Sequence, residues 1–289
     1  MGGIAKNSVI PLLKGSQIRL LSRIMSFIMN RKVLFFDIDG TLVSFKTHQI
    51  PKSAVDALRQ VHDRGHRIVI STGRAFQIID NLSQIADLID GYITVNGAHC
   101  FAGNTVVLDR PIPEDEVRTF ISISDEQQFA IMLVGEHEMA VHNVSDEMRH
   151  VYLDILRISK FPEFIPLEQM SPQKIYEFNA FVSKEKQEKF MSALPHCVSF
   201  RWYPTFSDIN EKNANKGAGV IAMAEHFGVD IADTIAFGDG NNDVPMIRQA
   251  GTGIAMGNAW DSTKQVADLV TDSVDEDGIR NALVKLQLL

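Results

Sequence analysis

The feature that most constrains this chain is the stretch from Val33 to Val43, which reads VLFFDIDGTLV. Four apolar residues lead into Asp37 and Asp39, and Gly40 then permits a sharp turn. This pattern is typical of a buried parallel strand that ends in acidic side chains. Ligands of open α/β sheets bind at the carboxyl ends of the strands, so the two acids would point into a crevice. On its own, an Asp-Gly turn is also compatible with a purely structural role.

Composition limits the classes of protein to be considered. A chain of 289 residues with 45% hydrophobic content can form two domains, or one domain with a large insertion. The net charge of −8 argues against a nucleic-acid partner, which needs clustered basic side chains. Cys100 and Cys197 favour buried thiols in a reducing compartment over a disulfide. We therefore expect a cytoplasmic protein with no membrane span, and a monomer is favoured.

The amino-terminal segment differs from the rest because it is basic and contains no acid before Asp37. Apolar residues recur in it at helical spacing, so a targeting or membrane-surface helix is one interpretation. Against this, Lys14 interrupts the early apolar run before it reaches the length of a signal-peptide core. Met25 and Met29 lie just upstream of the first strand. We predict that residues 1–30 are a basic extension, either disordered or preceding the native start.

The segment after the first strand predicts a repeated strand–helix unit. An amphipathic helix is expected from Pro51 to Arg64, a second strand from Arg67 to Ser71, and a helix from Ala75 to Ala86. The sequence STGR closes the second strand. If the two strands are neighbours, Thr72 lies beside Asp37, where its hydroxyl and the following amides suit a phosphate oxygen. Alternatively, Thr72 only caps the next helix.

After Asn96 and Gly97 the pattern changes to short strands and helices that form an α+β insertion of about a hundred residues, which must carry its own core. Asn96 and Gly97 at its start, and Pro204-Thr205 at its end, are the hinge candidates. The predicted division is a core of residues 31–97 and 204–289 and a cap of residues 98–203.

Two further motifs follow the insertion. Asn215-Lys216-Gly217 opens a predicted helix, where a lysine is unfavourable unless an anion meets it. Residues 234–243 read TIAFGDGNND, an apolar strand that ends in Asp239 and a glycine turn. Asp243 has an alternative role as the cap of the helix that follows it. Two more polar clusters are thus expected at strand or helix ends.

The four motifs DIDGT, STGR, NKG and GDGNND occur in the order of the haloacid dehalogenase (HAD) phosphohydrolase motifs and resemble them. NGA at 96–98 and GIAMGNA at 253–259 resemble segments of the Cof-like branch of that superfamily. The resemblance runs from Val33 to the carboxyl end. It implies a doubly wound, Rossmann-like parallel-sheet α/β hydrolase core with an inserted α+β cap. It also implies a phosphatase that acts on small phosphorylated metabolites, with sugar phosphates as the leading class.

A phosphate monoester is a dianion, so attack by a carboxylate requires a divalent cation and a lysine to cancel the repulsion. The resemblance implies that Asp37 forms an aspartyl-phosphate, while Asp39 protonates the leaving group and offers its carbonyl to Mg²⁺. The other core residues have implied roles in catalysis (Thr72, Lys216), at the substrate phosphate (Gly73, Arg74, Asn242) and, beside Asp37 and Asp39, at the metal (Asp239, Asp243).

Two other functions stay open at this point. A phosphomutase would return the phosphoryl group to its substrate, and an inactive phosphosugar-binding regulatory protein would use the site for recognition only. The complete acid, hydroxyl and lysine motifs count against the second. The motifs do not describe the leaving group, for which the loop from Gly135 to His137 and Asn143 are the candidates. The alternative for these cap residues is a solvated hairpin end.

Overall fold

The computed structural model describes residues 31–155 and 165–289, and Lys32–Leu289 forms one compact unit. Its strands, in chain order, are β1 (Val33–Phe36), β2 (Arg67–Ser71), β3 (Gly91–Thr94), β4 (His99–Ala102), β5 (Thr105–Asp109), β6 (Ile131–Gly135), β7 (Met139–His142), β8 (Ile165–Pro166), β9 (Ile175–Ala180), β10 (Cys197–Tyr203), β11 (Phe206–Glu211), β12 (Thr234–Gly238), β13 (Thr252–Ala255) and β14 (Leu269–Val270). Its α-helices are α1 (Lys52–Asp63), α2 (Glu114–Gln127), α3 (Asp146–His150), α4 (Lys184–Met191), α5 (Lys216–His226), α6 (Val244–Gln249), α7 (Asp261–Lys264) and α8 (Gly278–Lys285).

The core is an eight-stranded sheet in the order β14-β13-β12-β1-β2-β3-β4-β5. β1 is central and runs parallel to both neighbours, β12 and β2. Its side chains are buried on both faces because Leu34 and Phe36 pack toward α1 and α8, whereas Val33 and Phe35 pack toward α5 and α6. Only β4 and β5 pair antiparallel to their neighbours in this sheet. The predicted doubly wound α/β core is thus confirmed.

The predicted helix from Ala75 to Ala86 is wrong. The structure has two short 3₁₀ turns there, at Phe76–Ile78 and Ser83–Leu88. Asp80, Asn81 and Ser83 have short polar side chains that compete with helical backbone hydrogen bonds and favour turns. Consequently Thr72 does not precede an α-helix, and neither its role as a helix cap nor the helix-end argument for phosphate binding applies.

A second sheet, with strand order β10-β11-β9-β6-β7-β8, forms the centre of the cap. One face is covered by α2 and α4, where Phe120 stacks on Phe178 with ring centroids 4.3 Å apart. Residues of the other face line a cleft whose opposite wall is the carboxyl edge of the core sheet. The predicted α+β cap is therefore present, and the face of its sheet that lies away from α2 and α4 borders the candidate site.

The predicted cap boundaries need correction. The hairpin β4–β5 belongs to the core sheet, because β4 pairs with β3, whereas β11 belongs to the cap sheet, because it pairs with β9 and β10. Hydrophobic pattern identifies a strand but not the sheet it joins, so the predicted boundaries at 98 and 203 move to about 110 and 211. The chain crosses between the sheets at residues 110–113 and 212–215, where Arg110 and Glu211 lie 4.0 Å apart.

Neither pair of hinge candidates lies on a crossing. Asn96 and Gly97 join two core strands, and Pro204-Thr205 joins two cap strands. The predicted extension 1–30 lies outside the described residues. No helix among the described residues is long and apolar enough to cross a bilayer.

Candidate active site

Four polar segments meet at the carboxyl edge of the core sheet. Asp37 follows β1, Thr72 follows β2, Asp239 follows β12 and Lys216 begins α5, and all four line the cleft. β1 pairs with both β2 and β12, so the parallel order of the strands brings the first three together. The motifs that are distant in sequence are thus neighbours in space.

Lys216 is fully buried between two acids. Its Nζ lies 2.6 Å from Asp37 Oδ1 and 2.6 Å from Asp243 Oδ1. Asn215 caps the helix by accepting a 2.9 Å hydrogen bond from the backbone N–H of Ala218. Burial alone would lower the pKa of Lys216, but the carboxylates of Asp243 and Asp37 outweigh it and raise the pKa. Lys216 is therefore a buried, paired ammonium group and not a solvated surface lysine.

Asp37, Asp239 and Asp243 form a buried cluster whose carboxylate oxygens lie within 4.8 Å of one another. Burial and then the charge of Asp243 raise the pKa of Asp37 well above its usual range. The same causes raise the pKa of Asp239 to about 7. Because Lys216 supplies one positive charge for three acids, the cluster favours an additional cation. Its oxygen donors are of the kind that Mg²⁺ prefers, so the residues fit a magnesium ion.

Hydrogen bonds hold the acids of this cluster in place. Thr41 Oγ1 donates to Asp239 Oδ1 at 2.9 Å. Asp243 Oδ2 accepts from the backbone N–H groups of Asp239 and Gly240, at 2.9 and 2.8 Å. Asp243 therefore closes the turn before it, and it makes no side-chain cap for the following helix α6. Its two oxygens connect the Asp239 turn to Lys216.

Asp39 lies apart from this cluster and pairs with Arg74. The guanidinium donates from Nε and Nη2 to the two carboxylate oxygens, at 2.8 and 2.7 Å. The backbone N–H of Arg74 donates to Thr72 Oγ1 at 3.1 Å. Arg74, predicted to contact the substrate phosphate, thus holds the predicted acid–base residue, a bidentate contact that no sequence motif indicated.

The turn after β3 lies at the catalytic edge and not at the start of the cap. Asn242 Nδ2 donates to Asn96 Oδ1 at 3.1 Å, and both residues line the cleft. A Cβ at Gly73 would come within 3.1 Å of the same Asn96 oxygen. Gly97 has φ +93°, and a Cβ there would lie 2.2 Å from the carbonyl oxygen of Asn215. The glycine is required because the turn packs against the start of α5.

The structure does not bring His137 or Asn143 to the cleft. The His137 side chain is 75% exposed, and its loop contacts the core through Gln77 Nε2, which donates to the carbonyl oxygens of Gly135 and Glu136 at 3.0 and 3.2 Å. Asn143 Nδ2 instead donates to Ser124 Oγ in α2 at 3.1 Å. Neither is among the residues that line the cleft: His137 lies in the loop between β6 and β7, and Asn143 directly follows β7.

Among the polar residues of the cap wall that sequence reasoning missed, four are joined by hydrogen bonds and are here called the cap polar cluster: Tyr152, Glu177, Asn179 and Asp208. Asn179 connects them, because its Nδ2 donates to Glu177 Oε1 and to Asp208 Oδ1, each at 2.9 Å. Tyr152 donates its hydroxyl to Asn179 Oδ1 at 2.9 Å. Burial and then the charge of Asp208 raise the pKa of Glu177 well above its usual range.

One signal in the sequence was available for part of this cluster. Glu177 and Asn179 flank Phe178 in an apolar strand, so one face of β9 is polar while the other packs on helices. Asp208 lies on β11, which the sequence reading did not predict. Tyr152 lies in a π-helical turn, Val151–Ile155, and had no recognisable signal.

Residues 34–283 match the family model of haloacid dehalogenase-like hydrolases. YkrA of Bacillus subtilis (strain 168) is 34% identical over 263 residues, which cover 90% of this chain and all of that protein. The 5-amino-6-(5-phospho-D-ribitylamino)uracil phosphatase YcsE of the same organism is 28% identical, covering 87% of this chain and 94% of YcsE. The solved structure of the HAD subclass IIB sugar phosphatase BT4131 is 39% identical, with a TM-score of 0.79, covering 89% of this chain and 100% of that one.

Proposed function

The chain belongs to the haloacid dehalogenase-like hydrolases and is a phosphatase of the Cof-like branch, and on this premise we propose that it hydrolyses sugar phosphates with Mg²⁺ through an aspartyl-phosphate at Asp37. The observation that carries the proposal is the buried ammonium group of Lys216, 2.6 Å from the carboxylates of both Asp37 and Asp243. An amine in this position lowers the repulsion between a carboxylate nucleophile and a phosphate dianion.

The proposed reaction has two steps. An Asp37 carboxylate oxygen attacks phosphorus, the bond to the leaving oxygen breaks, and Asp39 protonates that oxygen. Asp39 then removes a proton from water, which attacks phosphorus, releases phosphate and restores Asp37. Because Arg74 binds both Asp39 oxygens, this pair must open for proton transfer, and the substrate phosphate offers Arg74 a replacement anion. Thr72, Gly73 and Asn242 would contact the phosphate.

Asp37, Asp239 and Asp243, with the carbonyl of Asp39, would hold the Mg²⁺, either directly or through water. The ion, when bound, would polarise the phosphoryl oxygens and stabilise the charge that develops on them. Asp243 also orients the Asp239 turn, so its role includes positioning the other ligands. The crowding of three buried acids supports this assignment, because a bound cation would lower the raised pKa values of Asp37 and Asp239.

The substrate class is supported by two observations. The solved relative BT4131 is named as a sugar phosphatase, and the cap wall of the cleft offers hydrogen-bonding side chains to a hydroxylated leaving group. The proposal includes a small phosphorylated metabolite as substrate and a monomer as the working unit. A cytoplasmic location is part of it too, since Cys100 and Cys197 are free thiols.

Hydrolysis of p-nitrophenyl phosphate and a panel of sugar phosphates by the purified protein, with EDTA or Mg²⁺, tests the proposal. We expect turnover only with the metal, free phosphate as the product, and a higher melting temperature of the protein in Mg²⁺. Acid-quenched protein should carry one phosphoryl group on the peptide that contains Asp37. A phosphorylated isomer in place of free phosphate would identify a phosphomutase, and binding without any turnover would identify a regulatory protein.

A further inference from the structure

Exposed aromatic side chains are concentrated in the cleft. Among the side chains that the structure describes, four aromatic ones are exposed, namely Phe45, Phe76, Phe200 and Trp260. Phe76 contacts two other rings edge-on and does not line the cleft. The other three line the cleft, and no ring contact joins any of them to another described aromatic residue. Apolar rings left in water cost free energy, so their collection in one cleft indicates a ligand that covers them.

Phe200 belongs to the cap wall and lies beside the cap polar cluster. Directly paired residues of neighbouring antiparallel strands have their side chains on the same face of the sheet. Phe200 on β10 is paired with Asp208 on β11, which is paired with Asn179 on β9. The ring of Phe200 is 43% exposed, on an edge strand of the cap sheet. The cap wall therefore presents an aromatic ring next to hydrogen-bonding groups.

Phe45 and Trp260 lie on the core side of the cleft, and each side chain is 64% exposed. The backbone N–H of Trp260 donates to the carbonyl oxygen of Asp239 at 2.9 Å. The ring of Phe45 lies beside Gly40, where a Cβ would come within 2.7 Å of the ring and would also meet the Asp239 carboxylate. Both aromatic residues are thus held close to the acids that would bind the metal.

The cleft is larger than a sugar phosphate needs. Its volume is about 1520 Å³, whereas pockets for small ligands typically measure about 300–1,000 Å³. A sugar phosphate that binds with its phosphate at Lys216 and Arg74 therefore leaves part of the cleft unfilled. A planar heterocycle attached to the sugar would fill more of it and would offer an apolar face, which stacks on aromatic side chains whatever the identity of the base.

We propose that Phe45, Phe200 and Trp260 form a stacking subsite, and that the preferred substrates are sugar phosphates whose sugar carries a planar heterocyclic base, as in a nucleoside 5′-monophosphate. This inference rests on the proposed function and narrows its substrate class. The phosphate binds at the catalytic edge, the sugar hydroxyls bind to the cap polar cluster, and the base stacks on the aromatic side chains. A sugar phosphate without a base forgoes the stacking contact.

The test compares esters that share a phosphate on the terminal carbon of ribose and differ in the base. Ribose 5-phosphate has no base, 5,6-dihydrouridine 5′-monophosphate has a ring that is not aromatic, and UMP and AMP have a small and a large aromatic base. We expect kcat/KM for AMP to exceed that for ribose 5-phosphate by about tenfold or more, with UMP between them. The dihydrouridine ester should stay within about threefold of ribose 5-phosphate, because its puckered ring stacks poorly.

Variants of the subsite should change the ratio of the two kcat/KM values, AMP to ribose 5-phosphate. Phe200→Ala and Trp260→Ala should each lower this ratio by about fivefold, whereas Phe200→Tyr, which keeps an aromatic ring, should preserve it. Phe76→Ala, at the exposed aromatic position outside the cleft, is the matched control and should leave the ratio unchanged. Circular dichroism checks that each variant has folded.

Binding to Asp37→Asn keeps the test independent of hydrolysis. AMP should change the tryptophan fluorescence of this variant more than ribose 5-phosphate does, and the difference should be lost when Trp260→Phe is added. Equal kcat/KM values for AMP and ribose 5-phosphate in the wild type would overturn the inference. So would an equal loss for both esters in Phe200→Ala and Trp260→Ala, which would show that the rings contact the sugar or the closing cap. AMP binding with the expected fluorescence change, but without hydrolysis of any ester by the wild type, would overturn only the proposed function.

Discussion

The catalytic edge of the core and the inner wall of the cap use similar side chains in different ways. At the core edge, three acids surround one buried amine, and each acid lies within a short motif at the end of a strand or in the turn after it. On the cap wall, acids and amides from two strands, β9 and β11, bond to one another. We therefore expect the chemistry common to all phosphate esters to reside in contiguous motifs, and discrimination among esters to depend on residues that pairing between strands brings together. Substitutions at the catalytic edge should slow every substrate, and substitutions on the cap wall should change the ratios between substrates.

Asp37→Asn should have the largest effect and should affect all substrates alike. The amide cannot attack phosphorus, so we expect turnover to fall by more than about 10⁴-fold for sugar phosphates and for p-nitrophenyl phosphate. Loss of one of three crowded acids should leave the fold intact, as checked by circular dichroism. The control is Asp87→Asn, an exposed partner of Arg59. Near-normal turnover by this variant would show that Asp37 is not the nucleophile.

Asp39→Asn tests both regions, because the proposed role of Asp39 is to transfer a proton to the leaving group, which the cap contacts. We expect turnover of sugar phosphates to fall by about 10²–10⁴-fold. The p-nitrophenolate ion leaves without protonation, so stopped-flow absorbance should show a burst of one nitrophenolate per enzyme before slow turnover. Asp37→Asn should show no burst. Wild-type rates with sugar phosphates at every pH would contradict the assigned role.

Lys216→Ala should lower turnover by about 10²–10³-fold on every substrate and also destabilise the protein. Its removal leaves the buried carboxylates of Asp37 and Asp243 without their shared partner, a change that typically costs about 3–5 kcal/mol of unfolding free energy. Added Mg²⁺ should not restore the rate, because the metal and the lysine act on different oxygens. Lys285→Ala, at an exposed position of α8, is the matched control. Full recovery of turnover at high Mg²⁺ would show instead that Lys216 only adjusts the affinity for the metal.

The same contrast explains what the sequence allowed us to predict. The core strands and the positions of Asp37, Thr72 and Asp239 followed from apolar runs that end in polar residues, because parallel strands end at one edge. The position of Lys216 followed from a lysine at the start of a predicted helix. The contact between Arg74 and Asp39 joins residues 35 positions apart and left no local signal. The sequence also did not predict which sheet the β4–β5 hairpin and β11 would join, because period-two patterning does not specify a partner strand. The contact of Glu177 and Asn179 with Asp208 was missed for that reason, whereas Tyr152 lies in a π-helical turn that no pattern indicated.

The smallest expected effect belongs to a contact between the two regions. Gln77, in a 3₁₀ turn of the core, donates from Nε2 to the carbonyl oxygens of Gly135 and Glu136 in the cap. If the cap opens and closes over the core, these hydrogen bonds stabilise the described arrangement by about 0.5–1.5 kcal/mol each. Gln77→Ala should shift the cap toward an open state and reduce the binding-competent fraction.

For sugar phosphates we therefore expect Gln77→Ala to raise KM by about two- to fivefold while kcat stays within about twofold of wild type. The ratios between sugar phosphates should not change, because the cap polar cluster is intact; this separates a change in cap position from a change in cap recognition. Gln60→Ala, an exposed glutamine of α1 that bonds only to its own helix among the contacts described, is the control. An unchanged KM with a lower melting temperature would show that the Gln77 contact only supports the fold. Altered ratios among the sugar phosphates would show instead that the catalytic edge and the cap wall do not divide catalysis and selectivity between them.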